Sequence, residues 1–280
     1  MTVPAFSNLI KGMLTRSGAD NPDGDCTEIL MSVLDCDRTR LILYGDREIP
    51  DDTAEKAVAM AKRRASGEPI QYVIGSWSFM GRDYKVGEGV LIPRDDTEVV
   101  VRAALGLMQG VDRPEIIDLC SGSGIIAITM QKELGGSKVA AIEKSDIAYD
   151  HLLQNIGLND ADVQAIKADI ADCADAFSDG AFDMIVSNPP YIRSSDIAGL
   201  QKEVLYEPRM ALDGGESGYD FYEIILQKWT QKLKKGGYIA LEIGEDQYAH
   251  IESLLQKHGY TDIIGYPDIQ GTARAVTARI

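Results

Sequence analysis

A chain of 280 residues is long enough for one large or two small domains with a proper core. Its 45% hydrophobic and 26% charged residues are those of a soluble globular protein, and no apolar run approaches the length of a membrane span. With 28 Lys+Arg against 44 Asp+Glu the net charge is −16, which disfavours unaided contact with nucleic-acid phosphates and is compatible with a basic protein partner, although charge alone reads first as a generic acidic surface.

Residues 1–78 carry helical patterns and are read as a small helical domain. Asn21-Pro22-Asp23-Gly24 breaks its first helix from the second, and Glu28 to Leu34 places apolar residues at helical spacing. Asp51-Asp52-Thr53 opens a run through Arg64 with acid at its start and base at its end, matching the helix dipole. Residues 79–96 alternate and carry Gly81, Gly87 and Gly89, so they are predicted to form a β-hairpin linker. Residues 97–280 alternate helix and strand, with strands expected near 115–119, 138–142, 163–167, 182–187, 237–243, 261–265 and 273–279. That alternation predicts an α/β fold, a parallel sheet covered on both faces. The last two strands lack an intervening helix, so the sheet is expected to end antiparallel. The four cysteines, Cys26, Cys36, Cys120 and Cys173, show no zinc or redox spacing, and the N-terminus lacks the basic start of a signal peptide. A cytoplasmic protein with free thiols is expected. The three histidines, His151, His250 and His258, form no cluster, so they are read as solvated, and no metal is expected.

The chemistry gathers at strand ends. Ile116 to Ala127 reads as strand, Gly-rich turn and helix, and its Gly122 and Gly124 let backbone approach a ligand at a helix N-terminus. Gly122-x-Gly124-x-x-Ala127, with Glu143 about 20 residues on, also fits a dinucleotide fingerprint. Asp118 tips the balance: a carboxylate beside the turn repels a pyrophosphate but can pair with the cationic amino-acid end of S-adenosylmethionine. Asp169, after the next strand, is placed to accept the adenine amino hydrogens. After the fourth strand stands Asn188-Pro189-Pro190-Tyr191. Two prolines stiffen this loop and remove two N–H donors, Asn188 adds an amide, and Tyr191 offers a ring for stacking. Such a loop suits a planar –NH2 group, whether of an amide or of a base.

These residues resemble the HemK/PrmC protein-(glutamine-N5) methyltransferases. The resemblance runs from about Gly67 to the C-terminus and rests on Glu68-Pro69-Ile70-Gln71-Tyr72, Leu91-Ile92-Pro93-Arg94, the Gly loop, Asn188-Pro189-Pro190-Tyr191-Ile192, Ala211-Leu212-Asp213-Gly214-Gly215, and Glu242-Ile243-Gly244 with Gln247. Cys120 stands where the family's loop often has its first Gly, and Asp95 replaces a frequent Pro. The resemblance implies a Rossmann-like class I fold and methyl transfer from S-adenosylmethionine, giving S-adenosylhomocysteine. It further implies that the acceptor is a glutamine amide in the GGQ motif of peptide chain release factors, gripped in part by the N-terminal domain. Carried onto this sequence, Asn188, Pro189, Pro190 and Tyr191 form the catalytic loop. Asp118, Cys120, Ser121, Gly122, Gly124, Glu143, Asp169 and Asn188 hold the cofactor. Two rivals stand beside this reading. A nucleic-acid amino methyltransferase uses the same loop, but net charge and the absence of a basic, aromatic-interleaved segment oppose it. A non-catalytic nucleotide-binding module leaves the Asn188 loop without a purpose.

Overall fold

A computed structural model describes residues 1–45 and 47–280, and the described chain falls into two compact units. The first comprises Met1–Ser76 and Gln201–Tyr206, the second Trp77–Leu200 and Glu207–Ile280.

The first unit holds helices α1 (Val3–Ser17), α2 (Pro22–Leu34), α3 (Arg38–Leu43), α4 (Asp51–Ala65) and α5 (Ile70–Ile74). Pro4 opens α1, whose Val3, Phe6, Ile10 and Leu14 are buried at spacings of three and four, and Gly18 closes it in the left-handed conformation. Asn21 caps α2 by accepting a hydrogen bond from the Gly24 amide at 3.0 Å. Near the end of α4 the Arg64 guanidinium, 4% exposed, donates to Asp25 at 2.7 Å and to Glu203 at 2.5 Å. The residues 201–206 therefore belong with this unit, although they follow it by more than a hundred positions; nothing local in sequence marks an ion pair across such a separation.

The second unit opens on a hairpin, β1 (Ser76–Phe79) and β2 (Arg82–Lys85), whose first residue alone falls in the other unit. Met80 and Gly81 both have positive φ (47° and 77°), the conformation of a tight two-residue turn. The hairpin expected over 79–96 is thus shorter and earlier. Beyond Lys85 the chain turns at Gly87–Val90, and the Ile92 amide is taken by the Glu207 carboxylate at 2.9 Å instead of by a strand partner. Next come α6 (Thr97–Met108), β3 (Glu115–Leu119), α7 (Ile125–Glu133), β4 (Lys138–Glu143), α8 (Asp146–Leu158), β5 (Val163–Lys167) and β6 (Phe182–Ser187). After a long connection follow α9 (Arg209–Leu212), α10 (Asp220–Trp229), β7 (Leu233–Glu242), α11 (Tyr248–Lys257), β8 (Thr261–Pro267) and β9 (Ala273–Arg279).

The sheet has the order β5-β4-β3-β6-β7-β9-β8, with β9 antiparallel to both neighbours and the remaining pairs parallel. Alternate residues feed two cores. Ile117, Leu119 and Ile185 pack with Tyr222, Trp229 and Ile251 on one face, while Ile116, Met184 and Val186 pack with Val100, Ala104 and Ile126 on the other. The chain order reverses between β3 and β6, the switch point where open α/β sheets place their ligands. Ser187 locks that junction by donating its hydroxyl to the Leu119 carbonyl at 2.5 Å.

Candidate active site

A cleft enclosing about 1030 Å³, its open mouth included, lies at the C-terminal ends of the central strands, within the second unit. Its walls are largely apolar, with Ile92, Ile126, Ile142, Ile170, Pro190 and Phe221 among them.

The Gly loop forms one side. Cys120 has φ 62°, a left-handed conformation rare for a side-chain-bearing residue, so the turn is as tight as a glycine would make it. Its half-buried thiol lines the cleft, and burial, followed by the carboxylates of Glu143, Asp118 and Asp169, pushes it well above the usual thiol range. Ser121 folds back, donating its amide (2.9 Å) and its hydroxyl (3.0 Å) to the Ile142 carbonyl. Gly122 lines the cleft with φ 54°, and Gly124 has φ 85°. A Cβ on Gly124 would collide with Leu152, so the close approach of α8 requires glycine there. Asn155 of α8, fully buried, ties the loop to the hairpin: its amide donates to the carbonyls of Ser123 (2.9 Å) and Lys85 (3.1 Å), and its oxygen accepts from the Lys85 amide (2.6 Å). The sequence reading missed Asn155, because one amide in a helix gives no local sign of what it will face.

Three acids stand at the ends of β3, β4 and β5, in two different settings. Glu143 lines the cleft at the end of β4 and accepts from the amides of Gly122 (2.8 Å) and Ser145 (2.6 Å). Asp169 also lines it, accepting from the Ala171 amide at 2.9 Å and pairing with Lys144 at 2.7 Å. Although burial raises its pKa, the Lys144 pair and the Ala171 bond outweigh this and hold the Asp169 carboxyl below the usual range. Asp118 does not reach the cleft. It is wholly buried beneath the loop, with one oxygen accepting from the Ala127 amide (3.1 Å) at the start of α7 and the other without a partner among the described residues. Burial pushes its carboxyl well above the usual range. The expectation that Asp118 pairs with the amino-acid end of a ligand is corrected: it points to the α7 face of the sheet and braces the loop's helix.

The Asn-Pro-Pro-Tyr loop divides likewise. Asn188 and Pro190 line the cleft, whereas Pro189 is buried behind them. The Asn188 amide nitrogen donates to the Thr97 hydroxyl at 3.2 Å, and among the described residues no donor reaches its oxygen or the Pro189 carbonyl. The Tyr191 ring is not a stacking surface in the cleft. It packs inward against Gly244, and its hydroxyl meets Glu242 at 3.4 Å; burial and that carboxylate push the phenol far up. Phe221 supplies the aromatic wall instead. Gln247, just before α11, holds the loop from behind. Its amide nitrogen donates to the carbonyls of Tyr191 (3.0 Å) and Gly218 (3.2 Å), and its oxygen accepts from the Gly244 amide (2.9 Å) and the Tyr222 hydroxyl (3.2 Å). Glu207, nearly sealed from solvent, pairs with Arg94 and so fixes the Ile92-Pro93-Arg94 wall. None of the histidines lines the cleft; His250 stacks on Tyr219 with ring centroids 4.1 Å apart, while His151 and His258 are half-buried rather than solvated.

Two family descriptions match the chain, PrmC N-terminal domain over residues 8–75 and methyltransferase small domain over residues 102–216. The release factor glutamine methyltransferase of Clostridium botulinum is 36% identical over 273 residues, covering 96% of this chain and 95% of the relative. That of Geobacter sulfurreducens is 34% identical over 280 residues, covering 100% and 97%. The chain belongs to the release factor glutamine methyltransferase family. The fold is shared more widely: the hMettl16 catalytic domain, solved in complex with a MAT2A 3′UTR hairpin, superposes with a TM-score of 0.55 at 16% identity over 81% of this chain and 80% of that one. Within the family match, the Gly loop, Glu143, Asp169 and Asn188 all fall inside the methyltransferase small domain, whereas Phe221, Glu242 and Gln247 lie beyond it.

Proposed function

We propose that the cleft binds S-adenosylmethionine along the Gly loop, Glu143 and Asp169, and receives the target glutamine amide at Asn188. Membership of the family makes the chain an S-adenosylmethionine-dependent protein-(glutamine-N5) methyltransferase acting on release factors. The residues present fit that cofactor. Glu143 spends two lone pairs on backbone amides and retains others for ribose hydroxyls, and Asp169 is held ionised at the far side, ready to accept from an adenine amine. Cys120, Ser121 and Gly122 bring backbone close, and the apolar walls suit a centre that loses positive charge as transfer proceeds. When bound, the cofactor supplies an electrophilic methyl group on a sulfonium.

The observation that carries the reading is the Asn188 oxygen, which lies at the cleft with no donor on it among the described residues; the Pro189 carbonyl, next in the chain, is assigned as the second acceptor. A primary amide is a weak nucleophile because its nitrogen lone pair is delocalised into the carbonyl. Two acceptors holding its two N–H bonds allow the nitrogen to pyramidalise toward the methyl group. Positioning in this largely apolar cleft supplies the rate, and no general base is required before the methyl arrives. The N-terminal unit is assigned to gripping the release factor, which provides the remote binding energy that a free glutamine lacks. With a net charge of −16, the surface opposes direct nucleic-acid binding, in keeping with a cytoplasmic enzyme whose substrate is protein.

The test offers purified release factor, DNA and ribosomal RNA in parallel and measures methyl transfer. Only release factor is expected to be modified. Asn188→Ala is expected to abolish transfer and leave S-adenosylmethionine affinity nearly intact by calorimetry. Loss of affinity together with activity would move Asn188 from the acceptor side to the cofactor side. Methylation of DNA or RNA in place of release factor would favour the nucleic-acid reading.

A further inference from the structure

A side chain can serve the edge of a strand where no neighbouring strand does. Among the described residues β2 pairs with β1 alone, in a two-stranded sheet, so its other edge takes partners from elsewhere. They come from one stripe of α8. Ile147, His151, Asn155 and Asn159 recur at every fourth residue of that helix and meet Gly89, Gly87, Lys85 and Asp83 in turn. Four helical residues advance about 6.0 Å and two extended residues about 6.6 Å, so the two rows stay in step. A Cβ on Gly89 would lie 2.7 Å from the Ile147 side chain and one on Gly87 3.4 Å from the His151 ring, so the helix lies directly against this segment. The segment then runs on into the cleft wall at Gly89–Ile92. We propose that Asn155, the point at which this stripe also reaches the Gly loop, is a positioning residue that sets cofactor affinity. The proposal rests on the reading that the Gly loop holds S-adenosylmethionine.

The geometry assigns each atom of the Asn155 amide a task. The side chain is wholly buried. Its oxygen accepts from the Lys85 amide at 2.6 Å and its nitrogen donates to the Lys85 carbonyl at 3.1 Å, the exchange a neighbouring strand would make. Those two bonds fix which way the amide faces. The second hydrogen of the nitrogen goes to the Ser123 carbonyl at 2.9 Å.

That third bond adds nothing to the hairpin. It reaches the middle of the Gly loop, between Gly122 (φ 54°) and Gly124 (φ 85°), where the backbone has the widest choice of conformations. Of the loop's other bonds, that from the Gly124 amide to the Ser121 carbonyl (2.8 Å) is internal, while those of Ser121 and Gly122 run to Ile142 and Glu143 at the end of β4. Asn155 therefore ties down the part of the loop that β4 does not. It lies behind Ser123, which itself lines the cleft, so its effect on a ligand passes through the loop backbone. A loop freed at Ser123 must be ordered when the cofactor binds, which weakens binding. The Asn188 side of the cleft is untouched, so turnover at saturating cofactor is retained.

The experiment uses the full chain and intact release factor. Asn155→Leu removes all three bonds at similar volume, and Asn155→Ala removes them in a smaller side chain. Asn159→Ala is the control: it removes the 3.1 Å bond to the Asp83 carbonyl, on the same stripe but away from the loop. Calorimetry gives affinity and stoichiometry for S-adenosylmethionine and S-adenosylhomocysteine, and kinetics give kcat and the cofactor KM. Asn155→Leu and Asn155→Ala are expected to raise Kd for both ligands and the cofactor KM on the order of 10-fold, the scale of one buried hydrogen bond, with kcat within about threefold of the parent. Asn159→Ala should bind both ligands as the parent does. A merely structural role would lower the fraction of molecules that bind, seen as stoichiometry, and leave Kd unmoved; that result would overturn the proposal. So would equal weakening by Asn159→Ala, because the hairpin and not the Ser123 bond would then control affinity. In the parent, the nitrogen-15 signal of the Asn155 side-chain amide should move with added S-adenosylhomocysteine in step with calorimetric saturation. A signal that stays still would overturn the proposal without any substitution, and this measurement decides alone if the Asn155 variants do not fold. A parent that binds neither ligand would remove the reading of the Gly loop itself, a failure distinct from Asn155 variants that bind as well as a parent that does.

Discussion

Replacing Gln247 by leucine tests whether the Asn188 loop is held from behind. Gln247 is 9% exposed and serves four partners through one side chain. Leucine keeps most of the volume and removes every polar contact. The Tyr222 hydroxyl keeps a partner, because it also donates to the Glu242 carbonyl at 2.9 Å. The Gly244 amide and the carbonyls of Tyr191 and Gly218 are left without this donor or acceptor in a buried setting. At about 1–3 kcal/mol for each orphaned group, and allowing the partly exposed Tyr191 carbonyl to recover some solvation, the loss should be about 3–5 kcal/mol. That is a large part of a typical domain's stability. Urea unfolding followed by fluorescence should show an earlier midpoint with an unchanged slope. Transfer should fall with it, since the Tyr191 carbonyl is the anchor next to the catalytic loop, while cofactor affinity changes little. A loss of stability below about 1 kcal/mol would refute the reasoning, because it would mean that the orphaned groups find water or that the bonds are not made.

Glu143→Ala should weaken S-adenosylmethionine and S-adenosylhomocysteine alike, by about 1.5–3 kcal/mol per ribose hydrogen bond, read by calorimetry. Since Glu143 also accepts from the Gly122 and Ser145 amides, part of that loss belongs to a loosened loop, and unchanged affinity for both ligands would return Glu143 to a purely structural role. Glu242 carries a pH signature. Burial raises its carboxyl from 4.5 to about 7, so between these values folding takes up a proton and stability falls as pH rises. The contribution is fully present below about pH 4.5 and lost by about pH 7, at about 1.4 kcal/mol per pH unit, or about 3 kcal/mol in all. Glu242→Gln should flatten that part of the profile relative to the parent when urea midpoints are compared at about pH 5 and pH 8; parallel profiles would contradict it.

Most of the second unit was legible because buried strands announce themselves as apolar runs and the helices between them keep their periodicity. Leu119, Ile142, Ile166 and Ser187 fall near the strand ends expected of them, and the missing helix between β8 and β9 correctly signalled the antiparallel turn. What sequence could not show is the side from which an end residue is approached. Asp118 and Glu143 both stand at strand ends, but α7 covers the first and the cleft opens over the second. Tyr191 follows two prolines as expected, yet its ring turns inward against Gly244, where a side chain would crowd it. Glu242 and Gln247 gave no sign of a shared site for the same reason: Tyr191, which both meet, lies 51 and 56 residues away, and no spacing rule encodes that. Glu242 and Gln247 were marked only by family resemblance, without a role.

The Arg64 ion pairs impose an order on how the chain is made. Asp25 leaves the ribosome before Arg64, but Glu203 lies 139 residues behind Arg64. Synthesis at about 5–20 residues per second separates the two by roughly 7–28 seconds. During that interval the nascent helical unit exists with its buried guanidinium only half matched, and four strands of the sheet have already emerged. The N-terminal unit therefore finishes after the sheet's central strands are available, although its helices are translated first. Pulse proteolysis of ribosome-arrested chains should find it more easily cleaved when synthesis stops near residue 190 than when residues 201–206 have cleared the exit tunnel, and equal resistance at both lengths would show that Asp25 alone suffices.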